Sequence, residues 1–338
     1  MKEKRGRQLR IILTAFLIIL YLGYVGFVIH IDRGPIDYET FMQIGGRLIS
    51  GQEVYGENSY YPMPYVYVFG IFAALPRPVS MGLWLLLPPL FGLIITGWNP
   101  WVLLFGPMFG HFLGGQSALF GMLGYWGYRR NRQPDQWQGG LWLALTALKP
   151  QLGIFPIGYA FFDWVKYWRT ERKIPRQAWA CLAAVGVVYL SSFLFSPGWI
   201  WRWLAAPRPL ALRAMAGLIP RSLAYLVGRG WLFWVLWLVI SAALFIWILR
   251  RGMTLERGML WYFITSPLIH DYDLIQLIPQ IEDPATRRMA LILSIPTWIA
   301  ILFFYSFDPA WFAVTVIAPG LLLLDFFRKP GGELKSGL

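Results

Sequence analysis

The chain has 338 residues, of which 57% are hydrophobic and only 14% charged, with a net charge of +13 and a mean hydropathy of +0.51. A soluble domain usually carries about 25% charge, so these values exclude an ordinary water-soluble globule. Runs of about 20 apolar residues point instead to an all-α polytopic membrane protein, because backbone groups in lipid must be satisfied within helices. The basic residues sit in short clusters between apolar runs, where they orient helices rather than bind nucleic acid. Cys181 is the only cysteine, which excludes an intrachain disulfide and a thiolate metal cluster.

Residues 10–31 follow the basic stretch Lys2–Arg10. The apolar part is too long for a signal-peptide core, so it reads as an uncleaved first span. Taking basic clusters as cytoplasmic, residues 32–62 form an external loop, 63–76 return with Arg77 inside, 80–97 go out, and 101–128 come back to Arg129–Arg132. The apolar run that follows lies between that cluster and a second one, Lys166–Arg176. Two short helices broken at Lys149–Pro150 keep both clusters on one side, since proline interrupts the helical ladder. Residues 178–197 and 231–249 cross next; 259–281 read as a second broken hairpin; 289–306 and 310–327 complete the bundle. The expectation is about eight full spans plus two hairpins in one integral-membrane domain, 1–338. Both termini are cytoplasmic, and the tail 330–338 is disordered.

Loop 32–62 is unusually acidic, with Asp37, Glu39, Glu53 and Glu57. Within 37–49, Tyr38, Phe41, Ile44, Leu48 and Ile49 fall on one helical side, with Glu39, Thr40, Gln43 and Arg47 opposite. This predicts an amphipathic interfacial helix with Gly51 as its stop. Asp37 at its start is either a cap for free N–H groups or a general base at the membrane boundary. Glu39, Glu53 and Glu57 read as solvated charges.

Further along, 198–230 contains Arg202, Arg208, Arg213, Arg221 and Arg229, and no acid lies between Glu171 and Glu256. Guanidinium groups grip phosphate in a forked geometry; anionic lipid headgroups are the alternative partner. Lys149, an ammonium in an apolar run, is costly and suggests a phosphate contact or an acid partner, unless it snorkels. Asp271 and Asp273 are the candidate acids. Gln116, Gln151, Tyr61, His270, Asp271 and Asp273 are candidates for holding sugar or acceptor hydroxyls. The three histidines are scattered, without the ligand spacing of a metal site, so a divalent metal is the less favoured alternative to no cofactor.

The stretch "IDYETFMQIGGRLISGQEVY" followed by "YYPMPYVYVFGIFAALP" resembles the first external loop of glycosyltransferase family 87. The resemblance continues in order through "GGQSALFGML", "LALTALKPQLGIFPI" and "SPLIHDYDLIQLIP". It implies a GT-C-type bundle that uses polyprenyl-phosphate sugars, with mannose favoured. Asp37 would then be the base that deprotonates the acceptor. Lys149, Arg208, Arg213 and Arg221 would serve the donor phosphate, and the acceptor would be a glycolipid or lipid-linked glycan on the extracytoplasmic face. A transporter or flippase with discontinuous helices, and a non-catalytic polyprenyl-phosphate-binding subunit, are the rival readings.

Overall fold

The first apolar run forms α1 (Lys2–His30), about 44 Å long at 1.5 Å per residue. The computed structural model describes residues 2–56, 59–206, 216–304 and 314–327. Their contacts divide the chain into two compact units: Met1–Leu210 with Tyr272–Gln280, and Ala211–Asp271 with Ile281–Leu338. Apart from an isolated bridge at His270, the described secondary structure is helical, and four helices are long and apolar enough to cross a membrane. The chain is accordingly an integral membrane protein.

In the first unit, α1 packs against α4 (Arg77–Ile95). Between them lie α2 (Ile36–Ile49) and α3 (Met63–Ala73). The expected amphipathic helix is α2. Its buried face is Tyr38, Phe41, Ile44 and Gly45, which packs on α3, and Ile49 is exposed. Gly45 has no room for a side chain: a Cβ there would lie 2.4 Å from the Phe69 carbonyl oxygen. Phe41 and Phe69 stack with ring centroids 4.6 Å apart. Past the end of α2, Gly51 takes a left-handed φ of 67°, which glycine adopts without a Cβ penalty.

Two expected spans are corrected here. Residues 63–76 do not form a helix long enough to cross. The helix within them has 11 residues, about 16 Å against a hydrocarbon core of about 30 Å. Leu75 and Pro76 then turn the chain so that Arg77 closes back on Asp32 at 2.6 Å and Glu39 at 2.5 Å. Arg77 therefore shares an end with loop 32–62, and α4 is the leg that leaves it. Residues 101–128 are not one helix either. They divide into α5 (Trp101–Leu104), α6 (Gly106–Gly114) and α7 (Leu119–Arg130). Gly115 at φ 65° turns the chain against α2, and its carbonyl accepts the Trp84 indole N–H at 2.8 Å. Among the described residues, four helices, against about eight full spans expected beside the two hairpins, are long and apolar enough to cross a membrane.

From that turn α7 runs away from α2, α8 (Trp137–Ala147) returns, and α9 (Pro150–Glu171) runs away again. The break expected at Lys149–Pro150 is present. Gly121, Gly124 and Gly127 let α7 close on its neighbours: a Cβ on each would meet Leu152, Thr146 and Trp142, respectively. Small residues at such crossings bring helix backbones together. Gln177 donates to the Asn131 carbonyl at 2.8 Å, and Tyr167 to Asp135 at 2.9 Å. The clusters Arg129–Arg132 and Lys166–Arg176 thus share one end, here termed the basic end, and Lys149 lies at the other. α10 (Arg176–Phe195) then runs back, its Tyr189 hydroxyl donating to the Ala147 carbonyl at 2.8 Å. The short α11 (Trp199–Ala205) lies on the loop before α3. There Trp203 donates to the Tyr60 carbonyl and Arg202 pairs with Glu53.

Residues Asp271–Gln280, expected as the second limb of a helical hairpin, form a 3-10 helix instead. Ten residues is long for this geometry. Its segment from Tyr272 on belongs to the first unit and is buried almost throughout. Gln276 donates to the Leu152 carbonyl at 2.9 Å, Tyr125 donates to Gln280 at 2.8 Å, and Arg129 donates to the Pro279 carbonyl. The segment therefore runs from the Lys149 end to the basic end alongside α7 and α9.

The second unit contains α12 (Leu218–Val227), α13 (Trp231–Arg250), α14 (Leu255–Thr265), α15 (Pro284–Phe304) and α16 (Ile317–Phe327). Leu223, Ala224 and Phe233 form a core where α12 meets α13. Indole N–H groups of Trp237 and Trp261 bond the Thr265 and Ser241 carbonyls, respectively, locking α13 to α14. Arg257 pairs with Asp325 at 2.6 Å and ties α14 to α16. The side chains of α13 are otherwise mostly exposed and apolar, as expected of a face turned to lipid.

Candidate functional site

Pro35 precedes the first turn of α2 in an extended conformation with no side-chain cap, so Asp37 is not the cap that its position allowed. Its half-buried carboxylate instead accepts a hydrogen bond from the side-chain amide of Gln116. Burial pushes the Asp37 carboxyl up to about 6, against the opposing pull of the Lys149 charge and the Gln116 hydrogen bond. A carboxyl with this poise is protonated in weak acid and ionised at neutral pH, as a general base requires.

Gln116 is delivered by the Gly115 turn. The turn is held from several sides: Gln116 N–H donates to the His111 carbonyl at 3.0 Å, and Ala118 N–H to His111 Nε2 at 3.0 Å. Acceptance at Nε2 leaves the ring proton on Nδ1. Ser117 donates to the Tyr61 hydroxyl at 3.3 Å, and the Tyr65 hydroxyl donates to the Ser117 carbonyl. Gln116 Oε1 is buried without a hydrogen-bond partner, an acceptor available to a bound hydroxyl.

Lys149 lies at the N-terminus of α9 with 1% of its side chain exposed, and its ammonium donates to Asp273 Oδ1 at 2.7 Å. Asp273 is completely buried. The Tyr272 and Tyr61 rings face the ammonium, with centroids 4.8 Å and 6.0 Å away. Of the two pairings considered for Lys149, the structure makes the one to Asp273. A buried ion pair is held by mutual attraction in low dielectric, and removing either partner leaves a costly lone charge.

Five of the residues singled out from sequence therefore converge in the first unit: Asp37, Tyr61, Gln116, Lys149 and Asp273. Gln151, the second residue of α9, is half-buried. His270 and Asp271 belong to the second unit. So does Arg221, which was expected in an open cationic loop and is instead buried in α12. Arg208, Arg213 and Glu57 lie outside the described residues. Glu53 is exposed, as expected of a solvated charge, and pairs with Arg202 at 2.7 Å; Glu39 is half-buried and pairs with Arg77. Sequence reasoning missed Ser117, Tyr65 and Tyr272 as site neighbours. Tyr272, between Asp271 and Asp273, was the one with a local cue.

Among the described residues, no group of three or more His, Cys, Asp or Glu could hold a metal ion. Open cavities of about 510 and 370 Å³ lie elsewhere, one beside Arg132 and Lys166 at the basic end, the other beside Glu53 and Arg202. No protein-family model, curated protein or solved structure matches the chain.

Proposed function

We propose that this protein is an inverting membrane hexosyltransferase that uses a polyprenyl-phosphate sugar, with Asp37 as its general base. The observation that carries this reading is the set around Asp37: a half-buried carboxylate with its pKa near neutrality, a glutamine amide on it, and a buried ammonium within electrostatic reach. The order of family 87-like segments along the chain supports it. In this reading the acceptor oxygen attacks the anomeric carbon while Asp37 takes its proton. The carbon–oxygen bond to phosphate breaks, and polyprenyl phosphate leaves with the electron pair. A hydroxyl is a poor nucleophile until its proton is being removed, and the leaving phosphate needs cations. Arg208 is among the proposed cations. The acceptor is a glycolipid or lipid-linked glycan, with mannose the favoured sugar.

Basic clusters favour the cytoplasmic side. With Arg129–Arg132 and Lys166–Arg176 sharing one end, that rule assigns the Asp37 end to the extracytoplasmic face. The buried Lys149–Asp273 pair at a helix break also suits a transporter with discontinuous helices, and this is the second reading. The test is transfer itself: purified protein with labelled polyprenyl-phosphate hexoses and mixed membrane lipids as acceptors. A labelled glycolipid that disappears in Asp37→Asn is expected. Absence of transfer from every such donor would overturn the reading.

A further inference from the structure

We propose that Asp273 is a positioning residue: it holds the Lys149 ammonium at the break between α8 and α9, so that the ammonium's field acts on the Asp37 carboxylate. This deepens the proposed function and rests on it for its kinetic consequence.

The geometry forms a continuous path. Gln116 bonds Asp37, its neighbour Ser117 bonds the Tyr61 hydroxyl, the Tyr61 ring faces Lys149, and Lys149 bonds Asp273. Both members of the pair are buried, so their fields are weakly screened. Asp273 is well placed to hold an ammonium because its own segment is pinned by the Gln276–Leu152 and Tyr125–Gln280 hydrogen bonds. With Asp37 ionised, the three groups sum to one negative charge, and Lys149 is the cation among them. It is also the charged group that opposes burial at Asp37, alongside the Gln116 hydrogen bond; Tyr61 in turn feels both Asp37 and Asp273. Without Asp273, the ammonium loses the partner that fixes it at the break, and its charge no longer acts on Asp37 from a set position.

The experiment measures the Asp37 ionisation in wild type, Lys149→Gln, Lys149→Arg, Asp273→Asn and Asp273→Glu. The primary readout is infrared difference titration of the carboxyl band that is absent in Asp37→Asn; the second is the acid limb of the transfer rate against pH. In Lys149→Gln and Asp273→Asn both readouts are expected to move up by about one pH unit, the size of a close-charge effect. In Lys149→Arg and Asp273→Glu, which keep the charges, they are expected to stay near wild type. A limb that stays put in Lys149→Gln, or moves down in Asp273→Asn, overturns the proposal. If the carboxyl titration shifts as expected but no variant or wild type transfers sugar, the electrostatic role stands and the transferase reading falls. A purely structural role would lower yield or activity in all four variants without moving the titration.

Discussion

Arg77 grips Glu39 with two nitrogens, at 2.5 and 2.9 Å, and reaches Asp32 with a third at 2.6 Å. One guanidinium thus fastens the first turn of α4 to the junction of α1 and α2. Two formal acids and one base are drawn together across 45 positions of sequence, and the short α3 is folded back between them. The pair is partly exposed, so its contribution to stability is modest. Its importance is topological.

That topology is checked by cysteine accessibility. Cys181 is buried, so a Cys181→Ala background should tolerate single cysteines at Arg33, Val79, Gln133 and Arg172. A membrane-impermeant maleimide is expected to label Arg33→Cys and Val79→Cys from one side, and Gln133→Cys and Arg172→Cys from the other. Labelling of positions 33 and 79 from opposite sides would mean that α3 crosses.

Asp37 should leave a signature in stability as well as in rate. Its pKa is raised to about 6 by burial, so between the unfolded carboxylate value of roughly 3.9 and that figure the folded state holds the proton more tightly. The stabilisation is full below the unfolded value and is lost as pH rises through about 6. Asp37→Asn is expected to remove this dependence and to be more stable than wild type at pH 7 by about 1–3 kcal/mol. Thermal midpoints from pH 4 to 8 check the sign. Transfer is expected to rise tenfold per pH unit below about 6 and to level off above it.

Lys149→Met should be destabilised by about 3–5 kcal/mol, because it removes the ammonium that pairs with the buried Asp273 carboxylate. Lys149→Met combined with Asp273→Leu is expected to recover most of that loss. Equal destabilisation of the single and double variants, measured by thermal unfolding in detergent, would show that the pair is not coupled.

Gly127 faces the Trp142 ring so closely that an added Cβ would lie 2.0 Å from it. Gly127→Ala should cost about 1–3 kcal/mol through overpacking. Part of that cost should return when Trp142 is also shortened to Leu, a double-mutant cycle read by the same melts.

Some of the structure was plain in the sequence. The apolar stripe Tyr38, Phe41, Ile44 belongs to a 3.6-residue period, and α2 spans Ile36–Ile49. Pro150 marks the break beside Lys149 because proline has no N–H to give. The pairing of Lys149 with Asp273 was one of two acid pairings that its place at a polar break in an apolar run suggested. Other features were hidden because they depend on partners distant in sequence. Arg77 looked like a cytoplasmic anchor, since hydropathy cannot see Asp32 and Glu39 beside it. The run 101–128 carries His111, Gln116 and Ser117 in a glycine-rich middle, but the contacts with Tyr38 and Trp84 that shape its turn at Gly115 are distant in sequence. Arg221 belongs to a stretch whose composition suggested an open loop, yet it is buried in α12.

The nine residues Tyr272–Gln280 of the 3-10 helix run the depth of the first unit. At about 2 Å of rise per residue they extend some 18 Å. One tip carries Asp273, gripped by Lys149; the other carries Pro279 and Gln280, gripped by Arg129 and Tyr125. One continuous element thus joins Arg129 and Tyr125 at the basic end to the ammonium of Lys149 at the other.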